Sequence, residues 1–192
     1  MKTKLLISLG VLALLMCFTS LGQNSGNNEE NIWLQQLVRE YSYNVVLQND
    51  LNNKAYVIQN GSGNNAIVNQ KITGNRYQSN VLYMIQQGNN NNGLVKQVGL
   101  GNEYNIYQFG SDNDLDLMTE GKRNKSTLFQ IGNSNKIKQR LRGNEMDYFI
   151  LQEGIRNELI HIENGVKHPE YRIEQKGTGM KLIIENSNIY RK

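Results

Sequence analysis

The sequence has few of the residues that form disulfides, bind metals or rigidify loops: one cysteine, two histidines and one proline in 192 residues. The scarcity of histidine and cysteine argues against most metal and thiol chemistry. Hydrophobic residues amount to only 38% of the chain, so an apolar core of ordinary size is not expected.

Amide side chains are what the sequence has in excess. Asparagine (29) and glutamine (15) account for 44 of the 192 residues, and 18 glycines accompany them. Chains rich in Asn and Gln are either disordered or prone to assemble as β-structure. Ten tyrosines, four phenylalanines and the near absence of proline are typical of ordered chains, so we favour β-structure.

The first 22 residues have the three parts of a secretory signal peptide. Two lysines near the start precede an apolar run from Leu5 to Phe18, and Ser20 and Gly22 are the small residues expected before a cleavage site. We therefore expect residues 1–22 to be removed on export, together with Cys17. The mature chain then has no disulfide, and its 19 basic and 17 acidic residues give little support to nucleic-acid binding.

Glutamine recurs every 11 residues along most of the mature chain. The register continues through a five-residue insertion between Asn75 and Asn80 and a one-residue slip near Pro169. Glycine follows two residues after these positions and asparagine five residues after, Asn75 included. The amides that we expect to form ladders are Gln48, Gln59, Gln70, Gln86, Gln97, Gln108, Gln130, Gln152, Gln175, Asn53, Asn64, Asn91, Asn102, Asn113, Asn124, Asn135 and Asn157.

Each 11-residue unit is predicted to form one short strand and one tight turn. Between an asparagine and the next glutamine, inward positions alternate with outward ones, as the period of a strand requires. Glycine then permits the turn. Two units make a 22-residue coil, so residues 44–192 are predicted to form an all-β, cross-β-like solenoid with coils about 4.8 Å apart. Inward amides of successive coils would hydrogen-bond to one another in ladders.

The outward charges support stacking at an interval of 22 residues, because acidic residues precede basic ones by that interval. The pairs are Asp114 and Lys136, Asp116 and Lys138, and Glu120 and Arg142, together with the series Glu103, Lys125 and Asp147. Opposite charges would then be neighbours across coils. Exposed pairs contribute only about 0–1 kcal/mol each, so what matters is the register that they indicate.

An outward apolar series has the same interval and consists of Ile85, Tyr107, Phe129 and Leu151. It reflects either the β-propensity of these residue types or an apolar stripe for lateral contact between molecules. The pattern alone leaves both interpretations open.

The repeated unit, Gln-x-Gly-x-x-Asn-x-(apolar)-x-x-x-Gln, resembles the curlin repeat of bacterial curli subunits. The best local copies are Gln59–Gln70, with Gly61, Asn64 and Ala66, and Gln86–Gln97, with Gly88, Asn91 and Gly93. The resemblance extends over residues 42–188. The departures from the repeat are Thr119, Leu141 and Glu163 in place of Gln, Asp50 and Ile72 in place of Gly, and Met146 and Met180 in place of Asn.

The resemblance implies a structural subunit of an extracellular, cell-surface amyloid fibre that serves adhesion and the biofilm matrix. Such a subunit is either the major component or the minor one that nucleates the fibre. The implied partners are further copies of the chain, a second curlin subunit, and the curli secretion channel with its accessory proteins. Residues 23–28, QNSGNN, resemble the segment that the family uses as an export address.

Residues 23–43 are therefore predicted to be an Asn/Gly-rich export segment followed by an amphipathic cap. The apolar residues at helical spacing are Ile32, Trp33, Leu37, Val38 and Tyr41. Leu37 also falls 11 residues before Gln48, which suits an imperfect first coil equally well.

The sequence contains no pattern of catalytic, cofactor-binding or metal-binding residues, such as a phosphate loop or zinc spacing. His161 and Glu163 are two inward residues of one predicted strand, which favours a core substitution over a ligand pair. We expect a non-enzymatic protein without cofactor, metal, nucleic acid or small-molecule substrate. The alternative is a monomeric secreted β-solenoid adhesin that binds a surface or partner without polymerising.

Overall fold

A computed structural model describes residues 52–74, 78–164 and 171–187 of the chain. The predicted signal peptide 1–22, the export segment and cap 23–43, and Gln48 lie outside the described residues. The described residues contain strands and turns but no helix, and they confirm the predicted all-β solenoid.

The strands are short and follow one another with tight turns between them. They are β1 Lys54–Asn60, β2 Asn65–Ile72, β3 Val81–Asn89, β4 Asn92–Leu100, β5 Glu103–Ser111, β6 Asp114–Lys122, β7 Lys125–Asn133, β8 Lys136–Asn144, β9 Asp147–Ile155, β10 Glu158–Asn164, β11 Tyr171–Thr178 and β12 Lys181–Ser187. For most of them, the strand and the turn that follows it together make up one 11-residue unit.

The strands form two parallel sheets that lie on opposite sides of each coil. Odd-numbered strands form one six-stranded sheet in the order β1-β3-β5-β7-β9-β11, and even-numbered strands form the other, β2-β4-β6-β8-β10-β12. Each coil contributes one strand to each sheet, so the first coil is β1–β2 and the sixth is β11–β12.

The pairing register confirms coils of 22 residues, because Gln86 pairs with Gln108 and Gln108 with Gln130. The first coil is longer, with a separation of 27 residues between Gln59 and Gln86. The fifth is longer by one, with a separation of 23 between Gln152 and Gln175. These two coils contain the insertion and the slip seen in the repeat.

The core lies between the two sheets, where one side of each strand points inward. Its apolar part consists of Leu82, Met84, Val95, Tyr104, Ile106, Leu115, Leu117, Leu128, Ile137, Ile150, Leu159 and Ile173. Around β3, for example, buried Asn80 and Gln86 lie on either side of the inward pair Leu82 and Met84, so the core there is apolar in its middle and hydrogen-bonded at its rims.

Glycine in the turns allows the coils to approach one another closely. A Cβ atom built on Gly110, whose φ is +110°, would lie 2.0 Å from the carbonyl oxygen of Gly132 in the next coil. No side chain fits into that space. The residue two positions after this glycine also has a left-handed backbone, even where it is not itself glycine, as at Asp112 (φ 58°) and Arg156 (φ 57°).

Candidate assembly surfaces

An unbroken ladder of glutamines runs along the sheet of odd-numbered strands from its first strand to its last. Each Nε2 donates to the Oε1 of the glutamine one coil further along. The distances are 2.7 Å for Gln59 to Gln86, 2.7 Å for Gln86 to Gln108, 2.8 Å for Gln108 to Gln130, 3.1 Å for Gln130 to Gln152 and 2.7 Å for Gln152 to Gln175.

The same amides also close the strand ends. Gln108 Nε2 lies 2.9 Å from the carbonyl oxygen of Asn92 and 3.2 Å from that of Asn113, and the side chain is fully buried. A buried amide without partners would be costly, so these bonds explain why glutamine is tolerated inside the core.

The equivalent column on the sheet of even-numbered strands is only partly an amide ladder. Gln70 donates to Gln97 at 2.6 Å. Further along, the column continues with Thr119, Leu141 and Glu163, the residues that depart from the repeat. Thr119 is instead bonded across the core, where the hydroxyl of Tyr104 lies 2.5 Å from its Oγ1. Burial raises the pKa of the Tyr104 phenol well above its usual value.

Asparagines form a ladder at each of the two rows of turns. Asn113 is representative: its Oδ1 accepts from the backbone N–H of Asn135 at 3.1 Å, and its Nδ2 donates to Asn91 Oδ1 at 3.0 Å. It also donates to the carbonyl of Gly132 at 2.9 Å. One ladder contains Asn64, Asn91, Asn113, Asn135 and Asn157, and the other contains Asn53, Asn80, Asn102 and Asn124.

Asn80 is a ladder member that the 11-residue interval missed. The interval points to Asn75, which lies outside the described residues, whereas Asn80 donates to Asn53 Oδ1 at 3.0 Å. Counting back 22 residues from Asn102 would have found it. The side-chain ladders stop where methionine replaces asparagine, although the N–H of Met146 still donates to Asn124 and that of Met180 to Asn157.

Five buried polar side chains, here called the polar chain, cross the core in the fourth and fifth coils: Ser126, Gln139, His161, Glu163 and Tyr148. Ser126 Oγ lies 3.2 Å from Gln139 Oε1, and Gln139 Nε2 lies 3.2 Å from His161 Nδ1. His161 Nε2 and the Tyr148 hydroxyl lie 3.3 and 3.1 Å from the same Glu163 oxygen, Oε2. Burial, and secondarily Glu163, raises the pKa of Tyr148 far above its usual range.

The outer charges lie beside partners of opposite sign, in the register expected from the sequence. Lys136 Nζ is 3.5 Å from Asp114, and Arg142 Nε is 3.1 Å from Glu120. Asp116 is the exception, because it lies opposite Lys138 in the pairing but forms its ion pair with Arg140. The guanidinium of Arg140 reaches across the coil spacing and also donates to the Asp116 carbonyl at 3.0 Å.

The apolar series of Ile85, Tyr107, Phe129 and Leu151 lies on the outer side of its sheet, but its side chains are buried. The rings of Tyr107 and Phe129 stack with centroids 4.6 Å apart. Phe129 also contacts Phe149, with centroids 5.8 Å apart. The series is therefore a packed cluster and not an exposed stripe for lateral contact.

Exposed apolar side chains are concentrated at the two ends of the solenoid. Of the ten large hydrophobic residues that are exposed in the described part of the chain, eight belong to the first or sixth coil: Tyr56, Val57, Ile58, Ile67, Tyr171, Met180, Leu182 and Ile183. Val57 is an inward residue in register with buried Met84, yet it is 40% exposed. The end coils therefore present the open cross-section of the core.

Comparison with protein-family models, curated proteins and solved structures found no match. The resemblance to curlin repeats therefore depends on the repeat residues alone. Within the described ranges, no helix is long and apolar enough to cross a membrane. The same ranges contain no group of three or more His, Cys, Asp or Glu side chains positioned to hold a metal ion.

Proposed function

We propose that this chain is a structural, non-enzymatic subunit of an extracellular, curli-like fibre that assembles by edge-to-edge stacking of its end coils. The sixth coil of one copy would pair with the first coil of the next, β11 with β1 and β12 with β2. Each sheet would then continue from copy to copy with its strands perpendicular to the fibre axis.

The observation that carries the proposal is the exposure of the core at both ends. Nearly all exposed large apolar side chains belong to the two end coils, and inward residues are among them: Val57 (40% exposed) pairs with buried Met84, and Leu182 (36% exposed) pairs with buried Leu159. Within the described ranges, β1 and β2 end the sheets on one side and β11 and β12 on the other. Open strand edges combined with apolar surface are a template for another chain.

The glutamine ladder adds chemical complementarity between the two ends. Every ladder bond is directed the same way, from Nε2 to the Oε1 of the following coil. The last member, Gln175, would therefore direct its Nε2 toward the next copy, and the first member, Gln59, would offer its Oε1. Stacking of unlike ends joins a donor to an acceptor, whereas stacking of like ends opposes two groups of the same kind.

The resemblance to curlin repeats adds the biological setting of the proposal. We place the fibre on the cell surface, in adhesion and the biofilm matrix, with the chain as the major subunit or the nucleator. A second curlin subunit, the curli secretion channel and its accessory proteins are the proposed partners. A monomeric secreted adhesin with the same fold is the alternative, and it differs in leaving the end coils unstacked.

A glycine at the end of the solenoid offers a direct test. A Cβ atom on Gly154, in the fifth coil, would lie 1.9 Å from the Gly177 carbonyl oxygen, whereas one on Gly177, in the sixth, would meet only Met180 Sδ at 3.5 Å. In a fibre, the carbonyl of Gly61 from the next copy would take the position that blocks Gly177. The variant Gly177→Ala should thus fold as a monomer but fail to polymerise.

The experiment compares fresh mature wild-type protein, Gly177→Ala and the matched variant Gly154→Ala. Both glycines have positive φ, +136° and +120°, so backbone strain is similar and only the clash with a following coil differs. We expect wild-type protein to form Thioflavin-T-positive fibres, Gly177→Ala to keep its circular dichroism but elongate seeds at least about tenfold more slowly, and Gly154→Ala to lose stability as a monomer. Wild-type protein that stays monomeric under seeding would favour the adhesin, and normal elongation by Gly177→Ala would contradict stacking through the sixth coil.

A further inference from the structure

The polar chain is the one place in the described core where titratable groups are buried together. His161 and Glu163 are each 1% exposed and lie two residues apart on β10. They occupy columns that elsewhere hold valine, leucine or glutamine: Val95, Leu117 and Gln139 align with His161, and Gln97 with Glu163. The fold therefore accepts uncharged side chains at both positions.

The hydrogen bonds assign one protonation state to His161. Gln139 Oε1 is engaged by the Ser126 hydroxyl, which leaves the Nε2 amide donor of Gln139 facing His161 Nδ1 at 3.2 Å. An amide nitrogen cannot accept, so Nδ1 is the acceptor and the ring proton resides on Nε2. That Nε2–H is directed at Glu163 Oε2. The arrangement fits a neutral imidazole.

A second proton on His161 has no place in this arrangement. It would sit on Nδ1 and oppose the Gln139 donor, unless the Gln139 amide rotates and reverses its bond with Ser126. Apart from Glu163, the groups around the ring offer no charge that would compensate for this proton. Its register partner on β12 is Ile184, and on β9 the Tyr148 ring lies edge-on with a centroid separation of 4.8 Å.

The titratable groups that face His161 are few. Glu163 lies on its own strand, Tyr148 on β9, and Tyr171 of β11 stacks on the outer side of Tyr148 at 5.8 Å. β8 contributes only the uncharged Gln139. Burial lowers the pKa of His161 below its usual value, and the opposing effect of Glu163 is smaller.

The direction of the pH effect follows from the difference between the unfolded and folded chains. An unfolded histidine takes up a proton near pH 6.5, whereas the buried one does so only at lower pH. The contribution of neutral His161 to the free energy of unfolding is therefore complete above about pH 6.5. It declines as the pH falls from there toward the pKa of His161 in the folded state.

We propose that the polar chain is an acid-responsive lock on the fifth coil: below neutral pH, protonation of His161 opens β9–β10 and with it frees the sixth coil. In a solenoid each coil contacts only its neighbours, so an opening in the fifth coil need not unfold the second or third. The lock is a property of the single chain and does not depend on fibre formation. If the proposed fibre exists, the lock would also control the surface through which it grows.

The test measures hydrogen–deuterium exchange of the full mature protein, freshly prepared as a monomer, at pH 7.5, 6.5 and 5.5 after correction for intrinsic exchange rates. We expect the opening equilibrium of β9–β10 to rise by up to about tenfold per pH unit below 6.5, as one proton allows, while that of β3–β4 stays constant. In His161→Gln the rise should disappear, because glutamine repeats the residue of the preceding coil and does not titrate. The control His168→Gln should retain it, as His168 is the only other histidine in the chain.

Glu163→Gln provides a second variant that keeps the histidine. Because Glu163 opposes the effect of burial on His161, its removal should leave the onset of opening near pH 6.5, which the open chain sets, and extend the rise in opening to lower pH. Equal pH dependence in wild type and His161→Gln, or protection that increases on acidification, would overturn the lock. So would a rise in Glu163→Gln that levels off at a higher pH than the rise in wild type. Failure of the chain to polymerise would refute the fibre and leave this readout intact.

Discussion

The glutamine ladder leads to a quantitative prediction at Gln108. This side chain accepts from Gln86 at 2.7 Å and donates to Gln130 at 2.8 Å, to the Asn92 carbonyl at 2.9 Å and to the Asn113 carbonyl at 3.2 Å. Substitution by leucine keeps the approximate volume and removes all four contacts, three of which share the two hydrogens of the Nε2 amide. It also leaves the buried Oε1 of Gln130 without its ladder donor.

The cost can be estimated from these contacts. Each lost bond contributes about 0.5–1.5 kcal/mol, and the buried acceptor left on Gln130 belongs at the upper end of that range. Leucine recovers about 1–2 kcal/mol by burying apolar surface. We therefore expect Gln108→Leu to lower the free energy of unfolding by about 3 kcal/mol.

Gln97→Leu is the matched control, because Gln97 occupies the same position of the repeat on the opposite sheet and is equally buried. It accepts from Gln70 at 2.6 Å but its only other bond is a long one, 3.4 Å, to the Val81 carbonyl. Its substitution should cost about 1 kcal/mol or less, since fewer bonds are lost and leucine is buried in return.

The assay is urea unfolding of freshly prepared monomer, followed by circular dichroism at several protein concentrations to exclude assembly. A difference of about 2 kcal/mol between the two variants corresponds to a factor of roughly 30 in the unfolding equilibrium constant. Equal midpoints, or a Gln108→Leu variant more stable than wild type, would refute the view that the ladder stabilises the core. An apolar column would then stabilise the core as much as an amide column does.

Three further predictions concern the turns and the outer face. Arg156→Asn should raise the free energy of unfolding by up to about 1 kcal/mol in urea melts, because φ is 57° at this position and asparagine tolerates the left-handed region better than arginine. An unchanged melt would show that the turn carries no strain. Glu120→Lys should lower the free energy of unfolding by at most about 1 kcal/mol at low salt, since it replaces the 3.1 Å ion pair with Arg142 by two like charges, and the loss should fade in 1 M NaCl. A loss that persists in high salt would point to packing instead of charge. Lys181, at 2.9 Å, holds the pKa of Glu158 below its usual value, so an NMR titration of Lys181→Ala should show that pKa rising, and no rise would mean that the ion pair does not persist in solution.

Much of the fold follows from residue order, because its determinants are local. The alternation of inward and outward side chains predicts strands, and glycine two residues after glutamine predicts the turns. The 22-residue register follows from repetition of these units, and the charge pairs Asp114–Lys136 and Glu120–Arg142 lie where it predicts. The predicted glutamines of the odd-numbered strands, from Gln59 to Gln175, likewise lie in one column.

Where the repeat is irregular, position in the sequence misleads. The 11-residue interval arrives at Asn75, but Asn80 occupies the column, because hydrogen bonding requires alignment with Asn53 and Asn102 and not a constant interval. The ion pair of Asp116 with Arg140, in place of Lys138, depends on the reach of a guanidinium across the coil spacing. The 11-residue interval gives neither outcome, although counting back 22 residues from Asn102 gives Asn80.

The sequence by itself determined the strands, the turns and the length of the coil, since these depend on residues a few positions apart. Only the tertiary structure decided which side chains meet across the core. Tyr104 bonds to Thr119 and Tyr148 to Glu163 because the two sheets face each other at a fixed separation, and a long side chain on one meets a shorter one on the other. The tertiary structure also buried the outward series around Phe129, whose ring stacks on that of Tyr107 in the preceding coil. Contacts between sheets depend on which side chains face each other and on how far they reach, so they emerge only when the coils are stacked.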